Sequence, residues 1–161
     1  MKKLFEKVLV AINGSEASIS ALKYALYMKY QCGSDILAVY VVDTATIRQL
    51  SLSRIFIQDE SVEYERSLEE SGKRYLAFCD EIAAQKHLEI KTLLRKGSVP
   101  GEIVKTSLEI GVDCIVLGGR PGDVVYRDSV IEGNIEIAKN ARCPVLLIKP
   151  ATGEEAFKSI S

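Results

Sequence analysis

At 161 residues, with 47% apolar and 27% charged side chains, the chain has the size and composition of one globular domain, able to bury a core without disulfide or metal staples. Its 21 lysines and arginines nearly balance 22 aspartates and glutamates, so a net charge of −1 leaves no basic excess to neutralise a nucleic-acid backbone. No apolar run approaches the roughly 20 residues of a bilayer span, and Val8–Ile12 is too short for a secretory leader, so a cytoplasmic, membrane-free protein is expected.

Val8-Leu9-Val10-Ala11-Ile12 is a continuous apolar run of the kind found in strands buried on both faces. It stops at Asn13-Gly14-Ser15, a turn and N-cap cluster. Ile19, Leu22 and Leu26, with Ala21 and Ala25, then recur at helical spacing up to Gly33. Ile36–Val42 is a second apolar run, ended by Asp43. The stretch from Thr44 to Gln58 has no clear period and reads as a loop with one helical turn at most. Its basic and apolar residues, Arg48, Arg54, Leu50 and Leu52 among them with Ile55, Phe56 and Ile57, suit a lid, a helix start or a partner contact.

From Asp59 to about Lys86 the pattern is helical, with Leu68, Tyr75, Cys79 and Ile82 on one face and Gly72 allowing close approach to a sheet. Leu88–Leu94 begins as an alternating run, a strand nearer the sheet edge. Pro100 opens a helix whose inner stripe is Ile103, Val104 and Leu108. Cys114–Leu117 is a fourth strand, followed by the glycine-rich run Gly118-Gly119-Arg120-Pro121-Gly122. A helix over Ser129–Asn140 precedes the last strand, Val145–Ile148. Residues 1–150 therefore form one domain, and 151–161 are expected to be a polar, frayed tail.

Five strands alternate with helix-length crossovers, which points to an α/β fold: a doubly wound, open five-stranded parallel sheet, Rossmann-like, with helices on both faces. With strand order 3-2-1-4-5, the ligand-binding switch point lies between the first and fourth strands. The loops leaving those strands are Asn13-Gly14-Ser15 and Gly118–Gly122, whose glycines let backbone amides approach an anion. The same glycines also suit plain tight turns, and spacing alone does not separate the two readings. There is no P-loop, no dinucleotide fingerprint after the first strand and no nucleophile elbow. Cys32, Cys79, Cys114, Cys143 and the single histidine, His87, are too dispersed for a metal site, so no metal ligand and no catalytic residue is assigned.

Several motifs in order resemble the universal stress protein family. They are Val8–Ser18 (V-L-V-A-I-N-G-S-E-A-S), Val39–Asp43, Gly97-x-Val99-Pro100-x-x-Ile103, Asp113–Gly118 and Ala141–Ile148, together spanning Lys7 to about Lys149. The resemblance implies an adenine-nucleotide site, with ATP or AMP as cofactor and Mg²⁺ left open. Carried over position by position, the site residues are Ile12, Asn13, Val41, Gly118, Gly119, Gly122, Gly133 and Asn134. Val41 falls where the family's backbone reads the adenine edge.

Two departures stand out. Asn13 replaces the family's usual aspartate; it could bond a ribose hydroxyl or simply cap the turn. The ATP-binding pattern G-x-x-G is followed nine residues later by G-[ST], whereas Gly133-Asn134 here follows Gly122 after ten. Aligned without a gap, the final pair is Ile131-Glu132, which would aim a carboxylate at the phosphate region. The resemblance therefore implies a nucleotide-binding stress regulator, at most a weak ATPase, that forms a homodimer through Val145, Leu146, Leu147 and Ile148. The competing expectation is a dimeric stress-response interaction protein that binds no nucleotide.

Overall fold

A computed structural model describes residues 4–54, 57–119 and 129–161, with the backbone alone for 129–131. In chain order the elements are β1 (Lys7–Ile12), α1 (Glu16–Cys32), β2 (Asp35–Asp43), α2 (Thr44–Leu52) and α3 (Gln58–Ala84). They continue as β3 (Lys91–Gly97), α4 (Val99–Ile110), β4 (Cys114–Gly118), α5 (Ser129–Asn140), β5 (Val145–Ile148) and α6 (Pro150–Lys158). All strand pairs are parallel, in the order β3-β2-β1-β4-β5.

The period of two along each strand divides the core. Val8, Val10 and Ile12 of β1, with Cys114 and Val116 of β4, face α1, α3 and α6. Leu9 of β1, with Ile115 and Leu117 of β4, turns to the opposite face and meets Ile103 of α4 and Ile137 of α5. Both central strands are thus covered on both sides, which is why they read as unbroken apolar runs. Burial pushes the Cys79 and Cys114 thiols up to about 12, with Asp80 adding to the effect at Cys79 and Cys143 and Asp113 at Cys114. These cysteines behave as small core residues.

Gly72 lets α3 settle on the sheet: an added Cβ would fall 2.5 Å from Tyr40 and 2.8 Å from Leu94. Several expectations need correcting. The segment after Asp43 is a nine-residue helix, not a loop, because Asp43 caps it: its carboxylate accepts from the Thr46 N–H at 3.1 Å and from the Thr46 hydroxyl at 2.7 Å. Leu108 is 47% exposed; Thr106 and Ser107 take the inner stripe of α4 with Ile103. The chain beyond Pro150 does not fray. It forms α6, which packs Gly153 on the Ser20 backbone of α1 and buries Phe157 and Ile160.

Several polar contacts fix α6 in place. Glu154 pairs with Lys23 at 2.8 Å, Lys86 donates to the Ile160 carbonyl at 3.0 Å, and the ammonium groups of Lys23 and Lys86 lie 5.3 and 4.9 Å from the Phe157 ring centroid. The third strand starts later than the apolar pattern suggests. Leu88 and Ile90 pack on the core ahead of it, and β3 carries Arg95 and Lys96 within its length.

Candidate functional site

A cavity of about 630 Å³ opens at the carboxyl ends of β1 and β4, the point where strand order reverses. Its floor is Ile12, Val39, Val41 and Leu117, with Gly118 at the end of β4. The first turn of α1 contributes Ser15, Ala17 and Ser18, and α2 contributes Ala45, Thr46 and Gln49. Ser98, Val99 and Pro100 of the α4 start form the third side; Glu132, Gly133, Asn134 and Glu136 of α5 form the fourth. A volume of this size lies within the roughly 300–1,000 Å³ of small-molecule sites.

The β1 turn is held by its own side chains. Asn13 Oδ1 accepts from the Ser15 N–H at 3.0 Å, and the Asn13 N–H donates to Ser18 Oγ at 3.3 Å. Ser15 Oγ in turn caps α1 by accepting from the Ser18 N–H at 3.1 Å. Gly14, with φ +82°, makes the left-handed step this turn needs, and the Tyr75 ring lies where a Cβ would go. Tyr75 also stacks on Tyr40, with ring centroids 6.1 Å apart. Burial, then the neighbouring Tyr75 and Tyr64, holds the Tyr40 hydroxyl above the usual tyrosine range.

Val41 has a special position in the sheet. The Asp35 N–H donates to the Glu6 carbonyl at 2.8 Å, so by strand alternation Val41 also turns its backbone groups toward β1. The pairing with β1 stops at Ile12 opposite Tyr40, while β2 continues beside β3 to Asp43. The Val41 carbonyl therefore points past the end of β1 into the cavity, a backbone acceptor on an otherwise apolar floor.

Of the eight residues expected at the site, Ile12, Asn13, Val41, Gly118, Gly133 and Asn134 line this one cavity. Gly122 lies outside the described residues. Gly119 sits apart from the lining, and its N–H is engaged by the Ile148 carbonyl at 2.8 Å, so it is not free to cradle a phosphate. Asn134 Nδ2 donates to the Gly118 carbonyl at 3.2 Å and ties α5 to the end of β4. Glu132 borders the cavity, as the gapless reading of the glycine pattern expected. Thr46, Gln49, Ser98 and Glu136 were not assigned from sequence. The signal for the first two was Asp43-x-x-Thr46, a helix-capping pattern hidden at the end of an apolar strand.

A sequence model of the Universal stress protein family matches residues 4–149. The chain belongs to this family. Among its relatives, universal stress protein YxiE of Bacillus subtilis is 27% identical over 148 residues, covering 91% of this chain and all of that protein. A universal stress protein family structure from Burkholderia pseudomallei superposes with a TM-score of 0.67 at 26% identity, over 89% of this chain and 96% of that one. An Arabidopsis thaliana universal stress protein family protein with AMP bound shares the fold, with a TM-score of 0.63 at 19% identity over 91% and 98% of the two chains. Among the described residues of this universal stress protein, no helix is long and apolar enough to cross a membrane, and no group of three or more His, Cys, Asp or Glu is placed to hold a metal ion.

Proposed function

We propose that this universal stress protein is a nucleotide-sensing regulator, binding ATP or AMP in the switch-point cavity with little or no hydrolysis. The observation that carries this reading is the convergence of Ile12, Asn13, Val41, Gly118, Gly133 and Asn134 on one cavity. The chain's described polar groups suit the nucleoside half of such a ligand. The Val41 carbonyl can accept from the adenine amino group, the floor can take the ring, and Asn13 retains an amide for a ribose hydroxyl. The AMP-bound Arabidopsis protein supports the choice of ligand class.

Binding would report to a partner through a homodimer whose pairing edge is β5, where Leu147 is 59% exposed. Calorimetric titration with AMP and with ATP, together with phosphate release, tests the reading. Micromolar binding without turnover is expected, and Gln49→Trp, which fills the α2 side of the cavity from an exposed position, should weaken it at least tenfold. No heat and no thermal shift at millimolar nucleotide would leave the dimeric interaction protein as the better account.

A further inference from the structure

We infer that the cavity discriminates against phosphate charge, taking adenosine or AMP in preference to ATP. This rests on the adenine-site reading and names its ligand more closely. Two independent features support it.

The first is charge. The described wall carries three carboxylates, Asp43, Glu132 and Glu136, and no lysine or arginine. In the sequence Arg120 and Arg127 are matched by Asp123 and Asp128, and all four lie outside the described residues. Asp43 ends β2, while Glu132 and Glu136 lie one turn apart on α5, and among the described residues no group of three or more His, Cys, Asp or Glu is placed to hold a cation that would mask a polyphosphate. An ATP tetra-anion meets the repulsion of all three, a monophosphate about half as much, and a nucleoside none.

The second is the state of the helix N-termini that would otherwise attract phosphate. Ser15 already caps α1, Asp43 caps α2, and Ser98 Oγ accepts from the Gly101 N–H at the start of α4. Pro100, in the first turn of α4, has no N–H to give. The first turn of α5 holds Glu132, which already complements that helix dipole with its own carboxylate. One first-turn amide in each of α1, α2 and α4 is thus already bonded within the protein, while the apolar floor and the Val41 carbonyl remain available to the base.

The test is calorimetric titration of the full chain with adenosine, AMP and ATP at low ionic strength, in EDTA and again with Mg²⁺. Dissociation constants are expected to rise from adenosine to ATP by roughly thirtyfold, and the gap should shrink with added salt. In the double variant Glu132→Gln, Glu136→Gln, the ratio of the ATP to the adenosine constant should fall about tenfold. A general loosening of the fold would shift both constants and leave that ratio alone. ATP binding as tightly as adenosine, either in EDTA or once Mg²⁺ is added, would overturn the charge discrimination and leave the adenine site standing. An unchanged ratio in the double variant would overturn it as well. No binding of any of the three ligands would remove the adenine site itself.

Discussion

Gly118 lies where β4 leaves the sheet beneath the first turn of α1. A Cβ there would stand 2.5 Å from the Ala17 carbonyl carbon and 2.7 Å from the Ser18 nitrogen. Both atoms are backbone, and the Ser18 nitrogen belongs to the cap that shapes the Asn13 turn. Gly118→Ala should therefore push α1 off the sheet, at a cost of about 1–3 kcal/mol, measured as a lower urea midpoint with unchanged slope. Ligand binding should weaken with it, because the Gly118 carbonyl also anchors Asn134. A variant within about 0.5 kcal/mol of the parent would mean that α1 can shift freely and that the contact is not what positions the turn. Asn13 and Gly118 were legible as residues at the switch-point cavity because turn chemistry after a buried strand is local. The place of Gly119 off that lining was not legible, since its N–H bonds the Ile148 carbonyl at the end of β5, a contact between distant residues that no local pattern announces.

At the level of elements, most of the alternation was readable, because the strands other than β3 are apolar runs and the longer crossover helices carry an apolar stripe. The two helices that escaped are α2 and α6. Both are nine residues long, too short for a period of 3.6 to emerge from the noise, and α6 carries its apolar weight in Phe157 and the following Ile160 alone. Tertiary contact makes α6 a helix: Phe157 is 9% exposed, flanked by Lys23 and Lys86, and Gly153 lets the helix touch α1. Phe157→Ala should destabilise the protein by about 3 kcal/mol, read by urea unfolding, and should make the last ten residues susceptible to carboxypeptidase. Phe157→Leu, which keeps most of the apolar volume but loses the ring that the two ammonium groups face, should cost less than half as much. If the alanine variant were as stable as the parent, α6 would be an appendage, and the core beneath it would be complete at β5.

At the scale of the molecule, the sheet of the described residues ends in two edges, β3 and β5, and they are not alike. The β3 edge carries Lys91, Arg95 and Lys96, with Lys96 bonded to Glu69 at 3.0 Å and Arg95 to Glu109 at 3.2 Å. The Glu69 partner raises the Lys96 ammonium above its ordinary range, and Lys96 lowers Glu69 in turn, so the charges stay in place across neutral pH. A charged, ion-paired edge resists further strand addition. The four residues of β5, Val145-Leu146-Leu147-Ile148, carry no charge, and Leu147 stands out from that edge. Association through the sheet should therefore use β5 and leave β3 free, giving a closed two-fold pair rather than an open stack of sheets. Leu147→Lys places on β5 the same device that protects β3, on an exposed side chain where folding has little to lose. Sedimentation at micromolar concentration should find the parent at twice the chain mass and the variant at the chain mass. A monomeric parent would rule out edge pairing altogether. A variant that stays dimeric would move the interface away from Leu147, toward the exposed Ile135 of α5.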